Sequence, residues 1–255
     1  MSTLYLKADK ESVSKYVIFS GDPFRVEMLS KNLENPIHVA FSREFNTYTG
    51  MYKGVKVTVT STGIGAPSAA IAMEEMYNCG MKVAVRMGTV MGLKDDMLGK
   101  MFIPTASMRE EATSRTYAPL SFPAVADFEL IDCMKKSANG IGRDVITGIN
   151  CTMDGFYSQM KESRLSAEMG TDNSETFKML KKYNIRGVDM ESSCMLVLAN
   201  LMGIKACVVT MTTVLENLKE VLLGEARTKS EEELCIAVLD GIVMYDNLKG
   251  NGEIK

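Results

Sequence analysis

The sequence predicts one α/β domain in which helices cover both faces of a sheet. Short runs of β-branched residues alternate along the chain with segments of helical periodicity, which is the pattern of such folds. The length of 255 residues fits one large domain over residues 1–255 better than two small ones. Hydrophobic residues make up 46% and charged residues 24% of the chain, as is typical of a globular protein with a substantial core.

Six strands are predicted from the β-branched runs, at residues 16–19, 55–61, 83–85, 101–103, 145–148 and 206–210. Helical spacing predicts a helix over 68–78 that ends near Gly80, and three more whose apolar faces begin at Phe128, Met195 and Cys235. The polar segment 158–174 is predicted either as a mobile flap over a site or as a solvated surface loop.

Composition argues against several classes of protein. The net charge of −3 provides no broad basic field for nucleic acid. No apolar run is long enough to span a membrane, and residues 1–15 do not resemble a signal peptide, so we expect a cytoplasmic protein without a membrane partner. Six scattered cysteines and a single histidine give little support for a zinc site.

Candidate chemistry lies where predicted strands end in glycine-bearing turns. Gly21 follows the first strand and lets backbone N–H groups approach a ligand closely. Pro23 is suited to open a helix whose N-terminus favours an anion, and Arg25 offers a planar fork of donors for phosphate. A Gly-Asp-Pro run is also a common turn, so this motif alone favours a turn without a binding role.

Two charged residues follow apolar runs. Arg86, after residues 83–85, needs an anionic partner or water, either in a binding site or in a structural salt bridge. Glu191 could accept hydrogen bonds from two vicinal sugar hydroxyls, or could lie in the first turn of a helix. The run 61–68 contains only part of a dinucleotide fingerprint, so a nicotinamide cofactor has weak support.

Seven motifs, taken in order, resemble the trimeric-to-hexameric nucleoside phosphorylases, and among them the uridine phosphorylases most closely. They are Gly-Asp-Pro-x-Arg at 21–25, Arg-Glu-Phe at 43–45, Ser-Thr-Gly-Ile-Gly-x-Pro-Ser at 61–68, Arg-x-Gly-Thr at 86–89, Phe-Pro-Ala-Val-Ala-Asp-Phe at 122–128, Asp-x-Phe-Tyr at 154–157 and Met-Glu-Ser at 190–192. The resemblance covers residues 16–237. It implies a three-layer α/β/α sandwich with a central mixed, partly barrel-like sheet, and homodimers that form a homohexamer.

The resemblance also implies the residues of the site. Phosphate would be held by Gly21, Arg25, Arg43, Arg86 and Thr89, ribose by Met190 and Glu191, and the base by Phe156, Thr213 and Val214. Glu44, Ile64 and Ser68 match positions that bind a potassium ion between paired subunits. No organic cofactor is expected, because inorganic phosphate is the co-substrate.

The implied reaction is phosphorolysis of a pyrimidine ribonucleoside in nucleoside salvage, from uridine and phosphate to uracil and ribose 1-phosphate. Phosphate, oriented by the arginines, would attack the anomeric carbon as the glycosidic bond breaks through an oxocarbenium-like transition state. Positioning and electrostatic stabilisation would supply most of the rate enhancement. Arg86 and Glu191 are therefore predicted to be catalytic.

The base-binding motif departs from the family pattern. Uridine phosphorylases stabilise the departing uracil with a glutamine and, two residues later, an arginine. Gln159 and Lys161 match that pair if one residue is deleted, and they are predicted to contact the base and act in catalysis. Lysine keeps the charge but loses the bidentate fork. Without the gap, Met160 and Glu162 would face the base.

Two further departures concern the surroundings of the nucleoside. Val90 and Met91 stand where the family has threonine or serine followed by glycine. The family's N-terminal histidine, lent to the ribose by a neighbouring subunit, is missing, since the only histidine is His38, which is predicted to be structural. Tyr5 is predicted to replace that contact with ribose.

Three alternative functions are compatible with the same fold. Purine phosphorylases of the family carry an aspartate shortly after the strand at 206–210, and residues 210–216 contain none, with Glu216 in place of a common arginine. This disfavours a purine nucleoside phosphorylase. A hydrolytic nucleosidase of the same fold would not need Arg25, Arg43 and Arg86. The third alternative is a catalytically inactive paralogue that binds a nucleoside.

Overall fold

The computed structural model describes residues 2–250, apart from the side chain of Asn217. Ten strands lie in this range: β1 (Tyr16–Ser20), β2 (Glu34–Ser42), β3 (Phe45–Tyr52), β4 (Val55–Ser61), β5 (Val83–Gly92), β6 (Met101–Glu110), β7 (Ala124–Val125), β8 (Val145–Met153), β9 (Ile185–Asp189) and β10 (Lys205–Leu215). Its α-helices are α1 (Pro23–Ser30), α2 (Ala66–Asn78), α3 (Thr113–Tyr117), α4 (Phe128–Gly140), α5 (Arg164–Glu168), α6 (Ser174–Lys182), α7 (Ser192–Met202) and α8 (Gly224–Leu248).

Five strands close into a small barrel. β5 pairs with β10, β10 with β6, β6 with β8, β8 with β9, and β9 with the end of β5. The first half of β5 also pairs with β1, and the sheet continues from there through β4, β3 and β2. Parallel and antiparallel pairs both occur, so the predicted mixed, partly barrel-like sheet is confirmed.

Helices cover both faces of this sheet because successive side chains of its central strands point in opposite directions. On β1, Tyr16 and Ile18 pack in a core with residues of α1, α4 and α8, whereas Val17 and Phe19 pack with α2 and α7. All four side chains are almost fully buried. Each such burial of a large apolar side chain stabilises the fold by about 1.5–3 kcal/mol. The predicted three-layer α/β/α sandwich is confirmed.

The predicted helices begin and end for local reasons. The side chain of Asp22 caps α1 by accepting a hydrogen bond from the backbone N–H of Phe24 at 2.9 Å, and Pro23 occupies the first helical position. Asp127 caps α4 in the same way, through the N–H of Leu130 at 3.0 Å. Gly203 ends α7 with a φ of 67°, a left-handed conformation that favours glycine.

The six predicted strands are present, but several are longer than predicted, and four strands were not predicted. β5, β6 and β10 extend to Gly92, Glu110 and Leu215 because they continue into the barrel through polar and glycine residues. β2 lies at the open edge of the sheet and is mostly exposed, so it lacks an apolar run. β3, β7 and β9 were also missed.

The segment 158–174, predicted as a mobile flap or a surface loop, contains short helical elements. It contains most of a π-helical turn, Phe156–Met160, and the short helix α5. Ser163 caps α5 through the backbone N–H of Ser166 at 3.1 Å. Elsewhere in residues 2–250, no helix combines the length and apolar character needed to cross a membrane. Met1 and residues 251–255 of the predicted domain lie outside the described residues, and its extent stays a prediction.

Candidate active site

A cavity of about 450 Å³ opens where the barrel meets the open sheet. Its walls come from the turn after β1, the second half of β5, the end of β9 and the neighbouring Glu191, the π-helical turn, and β10. This volume is typical of a small-molecule site. One end of the cavity is polar and charged, and the other is apolar.

Gly21 and Arg25 lie at the polar end, as the sequence predicted. Arg25 is buried on the first turn of α1, where its Nη1 donates to Ser20 Oγ at 3.2 Å and its Nη2 pairs with Glu231 of α8 at 3.0 Å. A Cβ on Gly21 would lie 3.3 Å from the carbonyl oxygen of Gly63, so the turn after β1 has little room for a side chain. The helix N-terminus and a guanidinium thus converge on one corner of the cavity.

Arg86 lies at the centre of the polar end and is almost fully buried on β5. Its Nε pairs with Asp189 Oδ2 at 3.0 Å and its Nη2 with Glu191 Oε2 at 2.5 Å. Burial disfavours the charged form, but the two carboxylates outweigh it and raise the pKa of Arg86. The guanidinium is therefore charged and held in place, with donors left over for an anion.

Gly88 makes room for this guanidinium. A Cβ at position 88 would lie 3.2 Å from Cζ, Nη1 and Nη2 of Arg86, so the arginine side chain folds back along its own strand over a residue without a side chain. Thr89 follows on the same strand and also lines the cavity. This close approach explains the spacing of the motif Arg-x-Gly-Thr.

Glu191 faces Arg86 from the N-terminus of α7 and is almost fully buried. Its Oε1 accepts a hydrogen bond from the backbone N–H of Gly65 at 2.6 Å. Burial raises the pKa of Glu191 above the ordinary glutamate value, with Arg86 opposing the shift and Asp189 adding to it. Gly65 itself has a φ of 99°, which favours glycine in the motif at 61–68.

Asp189 was not predicted as a site residue, yet its carboxylate forms a salt bridge with the guanidinium of Arg86. Its Oδ1 accepts hydrogen bonds from Asn150 Nδ2 at 2.7 Å and Thr152 Oγ1 at 2.9 Å, both on β8. The backbone N–H of Ser192 donates to its Oδ2 at 3.2 Å. The sequence carried a signal for this residue, because Asp189 directly precedes the predicted pair Met190 and Glu191.

The apolar end of the cavity contains the predicted base-binding residues Phe156 and Val214. They pack against a core that includes Met91, Met160 and Val188, which also line the cavity. Thr213 contributes a hydroxyl at this side, and Met190, predicted to hold ribose, lines the wall beside it. Met160 and Val188 were not among the predicted site residues, although Met160 was the ungapped alternative at the base.

Gln159 and Lys161 do not line the cavity. The side-chain Oε1 of Gln159 accepts a hydrogen bond from the backbone N–H of Gly155 at 2.7 Å. Lys161 Nζ lies 5.6 Å from the ring centroid of Tyr157, which is exposed. Of the three successive residues in and after the π-helical turn it is therefore Met160 that lines the cavity, while Gln159 and Lys161, predicted to contact the base, do not.

Arg43, predicted to hold phosphate, and Tyr5, predicted to replace a ribose contact lent by a neighbouring subunit, do not line the cavity of their own chain. Arg43 is exposed at the tip of the β2–β3 hairpin, where Ser42 pairs with Phe45, and its φ is 56°. Its Cζ lies 5.3 Å from the ring centroid of Tyr5. Within one chain the structure therefore brings Arg43 and Tyr5 together with each other.

Of the three residues predicted to bind potassium, Glu44 and Ser68 are in contact. Ser68 Oγ donates to Glu44 Oε1 at 2.9 Å, so this pair is formed. Ile64 lies on the intervening loop, is exposed, and contributes to the wall of the cavity. Within residues 2–250 no group of three or more His, Cys, Asp or Glu side chains is arranged to hold a metal ion. His38 lies on β2, and its Nε2 is 3.0 Å from Asn46 Oδ1.

Comparisons with known proteins agree with this architecture. The profile of the phosphorylase superfamily matches residues 15–240. The uridine phosphorylase of Thermococcus kodakarensis is 35% identical over 195 residues, which cover 76% of this chain and 70% of that protein. The uridine phosphorylase of Escherichia coli is 31% identical over 225 residues, 88% of this chain and 89% of that protein.

A solved structure extends the likeness to the whole fold. The purine nucleoside phosphorylase of Toxoplasma gondii, in complex with immucillin-H, superimposes with a TM-score of 0.86 at 27% identity and covers 97% of each chain. A match over most of the length, in sequence and in structure, requires common ancestry rather than a shared local motif. The chain therefore belongs to the phosphorylase superfamily.

Proposed function

We propose that this protein is a pentosyltransferase that cleaves uridine with inorganic phosphate, giving uracil and ribose 1-phosphate. The observation that carries the proposal is the meeting of Arg25, Arg86 and Glu191 at one end of a cavity whose other end is apolar. Guanidiniums suit a phosphate, a carboxylate suits vicinal hydroxyls, and an apolar slot suits a planar base. The likeness to the uridine phosphorylases of Thermococcus kodakarensis and Escherichia coli supports the choice of nucleoside.

We assign each part of the proposed reaction to a region of the cavity. Phosphate binds between Gly21, Arg25, Arg86 and Thr89, where the helix N-terminus and the free guanidinium donors meet. Glu191, fixed by the N–H of Gly65, accepts the 2′- and 3′-hydroxyls of ribose beside Met190. Phosphate is thereby placed to attack the anomeric carbon while the base leaves toward the apolar end.

Catalysis in this arrangement comes from positioning and electrostatics. Arg86 is held by Asp189 and Glu191 before substrate arrives, so little reorganisation is needed when phosphate binds. The carboxylate of Glu191 lies close to the ribose, where positive charge develops in an oxocarbenium-like transition state, and stabilises it. Phe156 and Val214, which pack against apolar neighbours, hold the base.

Several finer proposals follow from the resemblance of the sequence. We propose a homohexamer built from dimers, in which Arg43 and Tyr5 reach the cavity of a neighbouring subunit, since both lie outside the walls of their own. The pair of Glu44 and Ser68 is proposed to contribute to a potassium site between subunits. A role in pyrimidine salvage in the cytoplasm is proposed with the activity.

The test is uracil release from uridine by the purified protein, with and without phosphate. We expect release that depends on phosphate, and release undiminished without it would identify a hydrolase instead. Inosine is the control for the second candidate, a purine nucleoside phosphorylase, which the likeness to the Toxoplasma gondii structure motivates. Inosine cleavage faster than uridine cleavage would establish that candidate. Thermal stabilisation by uridine without base release would indicate a binding-only paralogue.

A further inference from the structure

The apolar end of the cavity is walled by side chains that form no hydrogen bonds to a base. Met91, Phe156, Met160, Val188 and Val214 meet there, and they belong to or pack against one continuous core. Among the described residues that line this end, none carries an amide or a charge on its side chain. A flat base would therefore contact methyl, thioether and aromatic groups on most of its perimeter.

The polar side chains nearest to this end are already engaged elsewhere. Gln159 Oε1 accepts a hydrogen bond from the backbone N–H of Gly155 at 2.7 Å. Lys161 Nζ lies 5.6 Å from the ring centroid of Tyr157. Glu216, which follows Val214 by two residues, forms a salt bridge with Lys181 of α6. Each of these groups has a partner that holds it away from the base.

Met160 is the residue that seals this wall. It is only 4% exposed and lies in the core cluster with Met91 and Phe177, while its side chain also reaches the cavity. Turning Gln159 inward would expose Met160 to water and break the hydrogen bond to Gly155. The buried thioether thus stabilises the arrangement in which the amide stays out.

We propose that this protein selects its base by shape and apolar contact, with Met160 as the specificity-determining residue, and not by side-chain hydrogen bonds to the edge of uracil. The inference rests on the proposed function. Thr213 leaves one hydroxyl at this side, and a hydroxyl donates or accepts as the base requires. The substrates therefore include pyrimidine ribosides whose hydrogen-bonding edge differs from that of uridine.

Discrimination between two nucleosides measures this directly. Pyrimidin-2-one riboside lacks O4 and the N3 hydrogen of uridine but has the same ring. A site that hydrogen-bonds this edge rejects such an analogue by about 10⁴–10⁵ in kcat/KM, whereas an apolar pocket that merely loses an atom changes it by about 10–200-fold. A dividing value of about 10³ lies between these two ranges. We expect the ratio of kcat/KM for uridine to kcat/KM for the analogue to lie below this value. A larger ratio would overturn the proposal.

Two variants separate base contact from chemistry. The intrinsic reactivity of the two nucleosides cancels when their ratio is compared between Met160→Gln and Met160→Leu, and so does any loss of folded protein. Met160→Gln places an amide at the wall, and we expect this variant to raise the ratio of kcat/KM for uridine to kcat/KM for the analogue at least tenfold. We expect Met160→Leu to leave the same ratio unchanged. Equal ratios in both variants would show that residue 160 does not face the base.

A binding measurement keeps this inference separate from the proposed reaction. If the wild-type protein released no uracil from uridine, the proposed function would fail, and the apolar wall would be judged by thermal stabilisation with free bases. Equal shifts in Tm with uracil and with pyrimidin-2-one at the same concentration would support selection by shape. A clearly larger shift with uracil would contradict it.

Discussion

Arg86 and Glu191 form a buried salt bridge in which Nη2 and Oε2 are 2.5 Å apart, and both side chains line the same cavity. Arg86 is proposed to hold phosphate, and Glu191 is proposed to hold the ribose of the nucleoside. These two groups are thus joined before either substrate binds. Asp189 completes the set by holding the Nε of Arg86 at 3.0 Å. The expected effect of a substitution among these three residues depends on which side chain is changed.

Replacing Arg86 is expected to abolish most activity and to destabilise the fold. Arg86→Ala leaves Asp189 and Glu191 buried without their cation, which costs about 3–5 kcal/mol in the free energy of unfolding. Arg86→Lys keeps the charge but loses the fork, so it should retain more stability while kcat/KM falls by about 10²–10³. Denaturant unfolding and phosphate-dependent kinetics test both variants. Wild-type turnover in Arg86→Lys would remove the phosphate assignment.

Activity is expected to fall on acidification because of Glu191. Burial raises the pKa of this carboxyl, and only the ionised form accepts two sugar hydroxyls, so kcat/KM for uridine should decline from a pH above the usual range of glutamate. The pH profile of kcat/KM measures this limb. Glu191→Gln cannot ionise and should lose the limb together with most of the rate. An identical acidic limb in that variant would assign it to another group.

The same raised pKa makes a prediction for stability. Folding favours protonated Glu191, so its contribution is present at low pH and is lost as the pH rises through the folded pKa. The free energy of unfolding of Glu191→Gln relative to wild type should therefore increase toward neutral pH. Urea unfolding at a series of pH values checks the sign. A difference that shrinks as the pH rises would contradict the direction of the shift.

Gly88→Ala is expected to displace the guanidinium of Arg86 without unfolding the protein. The new Cβ would lie 3.2 Å from the end of a flexible side chain, which must move by a few tenths of an ångström. A misplacement of about 1 Å costs about 10²-fold in rate, so this smaller shift should lower kcat/KM by less than that, with little change in Tm. Gly140→Ala is the matched control, since a Cβ there has no neighbour within 4 Å. Full activity of Gly88→Ala would mean that the position of Arg86 is not critical.

The salt bridge between Lys181 and Glu216 is expected to hold the outer wall of the base end. Its side chains are 38% and 13% exposed, so the pair contributes at most about 1 kcal/mol, and removing either partner should raise KM for uridine up to about fivefold. The double substitution Lys181→Glu with Glu216→Lys exchanges the two charges and should bring KM for uridine most of the way back to the wild-type value. Lys178→Ala is the control on the same helix, because Lys178 pairs with the exposed Glu175 at 2.6 Å. Equal KM values in all variants would exclude this role.

The sequence alone determined the layers of the fold and the polar end of the cavity. The continuous apolar run of β1 and the helical spacing in α2 follow from burial, which leaves a local pattern in the sequence. Gly21, Arg25, Arg86 and Glu191 stand at strand ends or beside turns and carry chemistry that needs a partner, and the resemblance to the nucleoside phosphorylases added Thr89. All five line the cavity.

Only the tertiary structure decided which side chains face the base and which partners the charges take. Gln159 and Met160 are neighbours in the chain, and the π-helical turn, with its hydrogen bond to Gly155, decides which of them points inward. Asp189 joins Arg86 because the barrel brings β9 beside β5, a pairing between strands about a hundred residues apart. Such contacts depend on closure of the sheet, which leaves no periodic signal in the sequence.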